Sequence, residues 1–257
     1  MVQQQLVLPN FIIIGAGRSG TTSLYYYLVQ HPDIFLKPDK QPEPHFFIRE
    51  KEYVNGLDYY SQTHFSDYQD EKAIGEASTL TLFFERGAQR LYQHLPEIKI
   101  LCSLRNPIDR MFSEYWRRID HTWEDLSFEA ALEQEAERLK APKDSYFRDF
   151  EPEAYQRRGY YYQHLKAWLK YFPQEQLKVF LFEDLVNDPK GLLKSIFEFL
   201  KVDPEFAPMF RESAKNESSH AKHQMLPETR KSLVELYKDE NERLAKLIGR
   251  DLSSWNQ

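Results

Sequence analysis

Three glycines, two threonines and one arginine fall within the eight residues GAGRSGTT at 15–22, directly after the apolar run FIII at 11–14. A buried strand, a tight turn and a helix start make an anion cradle, because the first turn of a helix presents backbone N–H groups with no intrahelical partner. The N–H groups of Gly17, Arg18, Ser19, Gly20, Thr21 and Thr22 are the expected donors, joined by the hydroxyls of Thr21 and Thr22. Two motifs overlap here. Gly15, Gly17 and Gly20 spell the dinucleotide pattern G-x-G-x-x-G, and Gly15 to Thr22 matches a P-loop except that Thr21 stands where the lysine belongs. The dinucleotide reading wants an acid about 20 residues on; Asp39 offers one, inside the proline-dense KPDKQPEP. The kinase-like reading wants the lysine and a metal-binding aspartate; Arg18 comes three residues early, and FLFED at 180–184 is the nearest strand end. An anion without β- and γ-phosphates, needing no metal, fits the loop better than either.

Four further groups have the chemistry of a transfer site. Glu43 and His45 sit two apart in PEPHFF, where flanking prolines hold the backbone extended. A carboxylate and an imidazole on one side of a chain suit proton transfer. Glu76 closes the apolar stretch AIGEAS, either as a second carboxylate near an acceptor or, the reading favoured here, as a buried partner for Arg18. Arg105 ends KILCSLR, and Ser113 follows two helical turns later in PIDRMFSEYWRRI. A guanidinium and a hydroxyl can converge on one phosphate, or the arginine can pair with Asp109. Arg110 is expected to serve structure.

The elements that carry these residues alternate. Strands are expected at 11–14, 34–36, 73–78, 99–105 and 177–185, and helices at about 21–30, 84–95, 107–119, 127–139, 155–172, 189–201 and 227–248. Asn106 and Pro107 begin the third helix as cap and first residue. Strands separated by helices predict an α/β fold with a central, mainly parallel sheet flanked by helices, and chemistry at the carboxyl ends of the strands. The polar stretches 140–153 and 211–226 are candidate flaps, and one domain over 1–257 is expected. The triplets YYY at 25–27 and 160–162 read as core faces of helices.

Composition narrows the class. The chain has 257 residues, net charge −6, and 16 Tyr and 18 Phe. That is material for a core and no basic coat for nucleic acid. Single Cys102, in an apolar run, allows no internal disulfide and fits a reducing compartment. No apolar run reaches the length of a membrane span, and MVQQQLVLPN lacks the basic-then-apolar form of a secretion signal. No spacing suggests a metal site.

The succession GRSGTTSL, PEPHFF, GEAS, RNPIDRMFSEY, FEDL, FLKV and NERLAKLIGRDLSSW resembles the sulfotransferases that use 3′-phosphoadenosine 5′-phosphosulfate (PAPS), in the branch holding the heparan sulfate enzymes and their bacterial relatives. The resemblance implies a P-loop-like three-layer fold and a cytoplasmic enzyme that moves a sulfuryl group to a hydroxyl of a sugar, lipid, polyketide or other small molecule. It implies that the first loop wraps the 5′-phosphosulfate and that Arg105 and Ser113 grip the 3′-phosphate. Glu43 is then the base, His45 its orienting neighbour near the acceptor, and Arg18 replaces a usual lysine in stabilising the leaving group. Lys215 and Lys222 are implied cofactor contacts. Ala77 stands where some relatives carry lysine, and the first loop also lacks its lysine, so the cleft is expected to be less basic; Ile48 stands where relatives often carry aspartate, so any role of that acid is absent. A kinase-like enzyme and a non-catalytic adenosine bisphosphate binder are the alternatives.

Overall fold

The computed structural model describes residues 6–37, 43–140, 150–151, 153–210 and 224–257. Asp39, Lys215 and Lys222 lie outside the described residues, as do most of 140–153 and 211–226. The chain forms two compact units, residues 1–104 with 167–212 and residues 105–166 with 213–257.

The first unit holds a five-stranded sheet of parallel pairs in the order β2-β3-β1-β4-β5. β1 is Phe11–Gly15, β2 Ile34–Phe35, β3 Ala73–Ala77, β4 Lys99–Leu104 and β5 Leu177–Leu181. β1 is buried along its whole length, as a strand covered on both faces must be. It pairs in register with β3 (Ile12 opposite Glu76) and with β4 (Ile13 opposite Leu101). The chain leaves β1 for one side of the sheet and β4 for the other, so their carboxyl ends mark the crevice where such sheets bind ligands.

The helices of this unit are α1 (Thr21–Leu28), α2 (Glu50–Tyr53), α3 (Gly56–His64), α4 (Glu85–His94), and further along the chain α8 (Phe182–Asn187) and α9 (Pro189–Leu200). Leu24, Tyr25, Tyr27 and Leu28 of α1 pack with Leu192, Leu193, Ile196 and Phe197 of α9 over Phe11, Ile13 and Leu101. The tyrosine triplet at 25–27 therefore serves the core, as its helical spacing predicts. α2 and α3 answer no expectation from the sequence. The strand expected over 177–185 ends at Leu181, because the Asp184 carboxylate accepts the Leu181 N–H at 2.9 Å and opens α8.

The second unit is helical in its described residues. α5 (Pro107–Asp120), α6 (Phe128–Lys140), α7 (Tyr161–Trp168, whose last two residues fall in the first unit) and α10 (Pro227–Ile248) are its main elements. Ile108, Met111, Tyr115, Phe128, Tyr155, Leu233 and Tyr237 form its core. Arg110 is fully buried and donates to the Tyr155 carbonyl at 2.9 Å, which makes it structural, as expected.

Candidate active site

The first loop runs from β1 into α1. Gly15 has φ +148°, and a Cβ there would stand 2.7 Å from the Thr79 carbonyl oxygen. Gly20 has φ +78°, and its Cβ would come within 2.9 Å of the Phe182 and Leu185 side chains. Both positions demand glycine by conformation and by space. β4 pins the loop from beneath: the Ala16 N–H donates to the Ser103 carbonyl and the Ser103 hydroxyl to the Ser19 carbonyl, each at 2.6 Å.

Gly20 is the N-cap of α1; among the described residues no side chain caps this helix, and its first turn holds no acid. The Ser19 hydroxyl is buried and, among the described residues, has no hydrogen-bond partner. An uncapped helix start and an orphaned buried hydroxyl fit an anion that supplies the missing acceptors. Arg18 lies half-buried in the loop with φ 71°, a conformation rare outside glycine. Thr21 is buried and Thr22 exposed.

Glu43 and His45 meet. His45 Nε2 stands 3.0 Å from Glu43 Oε2, with the side chains 11% and 28% exposed. Phe46 and Phe47 anchor the segment: both are buried, and Phe46 stacks on Tyr60 of α3 with centroids 4.4 Å apart. His45 itself has φ 50°, and its N–H donates to the Ser78 hydroxyl at 2.9 Å. The Glu43 carboxylate also accepts the Thr79 N–H at 3.0 Å and the Thr79 hydroxyl at 2.8 Å on Oε2 and 3.0 Å on Oε1. Burial pushes the Glu43 pKa up, but the bonds from His45 and Thr79 outweigh it and hold the group below its ordinary 4.5. Glu43 is therefore ionised at neutral pH. A carboxylate only accepts, so His45 Nε2 carries its proton.

Glu76 behaves oppositely. It is buried, its Oε2 accepts from Ser78 at 3.2 Å, and the Tyr60 phenol faces its carboxyl. Burial raises its pKa to about 8, lowered somewhat by Ser78 and Tyr60 and raised by the charge of Glu43. This corrects the expected pairing with Arg18: among the described residues no cation acts on Glu76, which is largely neutral at pH 7. The Tyr60 phenol, buried and facing Glu76, is pushed well above its ordinary value.

In the second unit, Asn106 caps α5 by accepting the Ile108 N–H at 3.0 Å, with Pro107 in the first turn. Arg105 and Ser113 are both half-buried. Asp109 pairs with Arg230 at 2.9 Å, which gives that acid a partner other than Arg105. Sequence reasoning missed Thr79, although its place just past β3, at the carboxyl edge of the sheet, was the available signal.

Among the described residues no three His, Cys, Asp or Glu side chains cluster as metal ligands, and no helix is long and apolar enough to cross a membrane. Cys102 is buried, and burial drives its thiol pKa far up.

A family model for the sulfotransferase domain matches residues 8–250. The crystal structure of a sulfotransferase from Alicyclobacillus acidocaldarius superposes with TM-score 0.82 at 35% identity, over 98% of this chain and 100% of that one. The membrane-associated sulfotransferase kil1 of Dictyostelium discoideum is 26% identical over 98% of this chain and 67% of its own length. The human bifunctional heparan sulfate N-deacetylase/N-sulfotransferase 3 is 28% identical over 96% of this chain. This chain spans 31% of that human relative.

Proposed function

We propose that this chain, which belongs to the sulfotransferase domain family and is a sulfotransferase enzyme of P-loop-like fold, moves a sulfuryl group from PAPS to an acceptor hydroxyl. The observation that carries the reading is the glycine loop: two glycines forced to positive φ lead into the uncapped start of α1. The bound PAPS supplies an activated sulfuryl group on a good leaving phosphate. The backbone N–H groups of Gly17, Arg18, Gly20, Thr21 and Thr22 and the Ser19 hydroxyl are assigned to its phosphosulfate; the Ser19 N–H is taken by the Ala16 carbonyl at 3.1 Å. Arg105 and Ser113 are assigned to its 3′-phosphate, by the resemblance of RNPIDRMFS to the family pattern.

The acceptor oxygen forms its bond to sulfur as the bond from sulfur to the 5′-phosphate oxygen breaks. Ionised Glu43 takes the hydroxyl proton, and His45 holds the carboxylate in place. Arg18 neutralises charge growing on the leaving phosphate; as a guanidinium it does so without giving up a proton. The protein's work is positioning and charge stabilisation, as in phosphoryl transfer. One sulfotransferase domain over 1–257 is the organisation proposed, supported by a single family match running through both units. A single buried cysteine supports a cytoplasmic setting. Sugar, lipid and polyketide hydroxyls are the acceptor classes proposed.

Adenosine 3′,5′-bisphosphate, the product nucleotide, should raise the melting temperature without Mg²⁺, because a ligand of the native state alone stabilises it. A larger rise with ATP and Mg²⁺, or with NAD, would overturn the reading. Arg105→Ala should weaken adenosine 3′,5′-bisphosphate about 10- to 100-fold and AMP far less, from the worth of a charge-assisted hydrogen bond. Equal losses for both nucleotides would remove Arg105 from the 3′-phosphate.

A further inference from the structure

We propose that Thr79 is a positioning residue, holding Glu43 so that Oε1 is the oxygen turned to the acceptor and tying that carboxylate to the glycine loop. The inference rests on the reading of Glu43 as the base and adds which of its oxygens works and what aims it.

The two oxygens differ. Oε2 receives three donors: the Thr79 N–H at 3.0 Å, the Thr79 hydroxyl at 2.8 Å and His45 Nε2 at 3.0 Å. A carboxylate oxygen has about two lone-pair sites, so Oε2 is saturated. Oε1 receives the longer arm of the shared Thr79 hydroxyl, at 3.0 Å. Its remaining lone pair is the one left to accept a proton from a hydroxyl.

Thr79 also borders the loop assigned to the sulfuryl donor. Its carbonyl oxygen lies 2.7 Å from where a Cβ on Gly15 would stand, and its hydroxyl oxygen 3.5 Å from a Cβ on Gly17. The sheet fixes this meeting: β3 runs beside β1 with Ala77 opposite Ile13, and the Ser78 N–H donates to the Ile13 carbonyl at 2.9 Å. One buried residue, 4% exposed, thus bonds the base and borders the loop. In-line transfer needs the acceptor oxygen, sulfur and leaving oxygen aligned, so an element joining base to donor site sets the attack geometry. The other ionisable groups acting on Glu43 are His45, on its own segment, and Glu76, from β3.

The test uses Thr79→Val, which keeps the shape and the backbone donor but removes the hydroxyl, and Thr79→Ser, which restores it. Carbon-13 labelling of glutamate, assigned against Glu43→Gln, follows the Glu43 carboxyl through a pH titration in each protein and needs no acceptor. Thr79→Val should raise the Glu43 pKa by about 1, the worth of one charge-assisted hydrogen bond, and Thr79→Ser should leave it at the wild-type value. PAPS turnover, with water or the fastest of a panel of hydroxyl acceptors, should fall about 10-fold in Thr79→Val, with its acid limb moved to higher pH and the KM for PAPS unchanged. A Glu43 pKa unmoved in Thr79→Val overturns the positioning role, whatever Glu43→Gln does. A pKa that rises while Glu43→Gln keeps full turnover overturns the base assignment, and the proposal with it.

Discussion

Glu43 and Glu76 are two carboxyl groups of one unit, joined through neighbouring residues of one turn, and their surroundings drive them in opposite directions. Glu43 collects donors from Thr79 and His45 and stays ionised below its ordinary pKa. Glu76 is buried with only the Ser78 and Tyr60 hydroxyls acting on its carboxyl, and holds its proton up to about pH 8. Desolvation acts on both; hydrogen bonds to the charged form decide which one yields. A pair split in this way assigns its own roles, with the ionised member available as a base and the neutral member keeping a second negative charge away from an anionic donor.

The contrast predicts its largest effect in turnover. Glu43→Gln keeps shape and hydrogen bonding but loses the basic oxygen, so turnover should fall roughly 10²–10⁴-fold, the usual worth of general-base catalysis. Affinity for adenosine 3′,5′-bisphosphate, read by calorimetry, should stay level. His45→Ala should cost less. Glu76→Gln, which replaces a neutral carboxyl by a neutral amide, should leave turnover within about a few fold. A dead Glu76→Gln beside an active Glu43→Gln would exchange the two roles, and a dead His45→Gln with Glu43→Gln active would make the histidine the base.

A smaller effect separates the pair in stability. The folded-state pKa of Glu76 lies above its ordinary 4.5, so the folded protein binds a proton that the unfolded chain has released. Its contribution is fully present below about pH 4.5 and is lost as pH rises toward about 8. Glu43 has the opposite sign: its contribution is present above 4.5 and is lost as pH falls through its lowered pKa. Denaturant melts of wild type and Glu76→Gln across this range should show the variant losing less stability between pH 5 and 8. Parallel curves would mean that Glu76 is not the buried neutral acid described here.

The sequence made the glycine loop legible because the loop is local: FIIIGAGRSGTT carries strand, turn and helix start within a dozen residues. The parallel sheet was equally legible, from apolar runs spaced by helical stretches. PEPHFF carried its own signal, since prolines fix its backbone and two phenylalanines fill the core. Thr79 was legible only by its place just past β3; its partner was not, because its hydrogen bonds reach 36 residues back to Glu43 and depend on strand register. The same holds for Glu76, whose proton is kept by burial in the fold against the hydrogen bonds of Ser78 and Tyr60. α2, of four residues, and α3, beginning at glycine, are too short or too weakly patterned to announce themselves. The overlong fifth strand arose because FLFEDL is apolar enough for a strand until Asp184 turns back on Leu181.

The split itself can be read directly. Carbon-13 carboxyl titration of the wild-type protein, with Glu43→Gln and Glu76→Gln assigning the two resonances, should give Glu43 below 4.5 and Glu76 near 8. Both groups titrating together near 4.5, or Glu43 the higher of the two, would contradict the account of one ionised base beside one neutral acid.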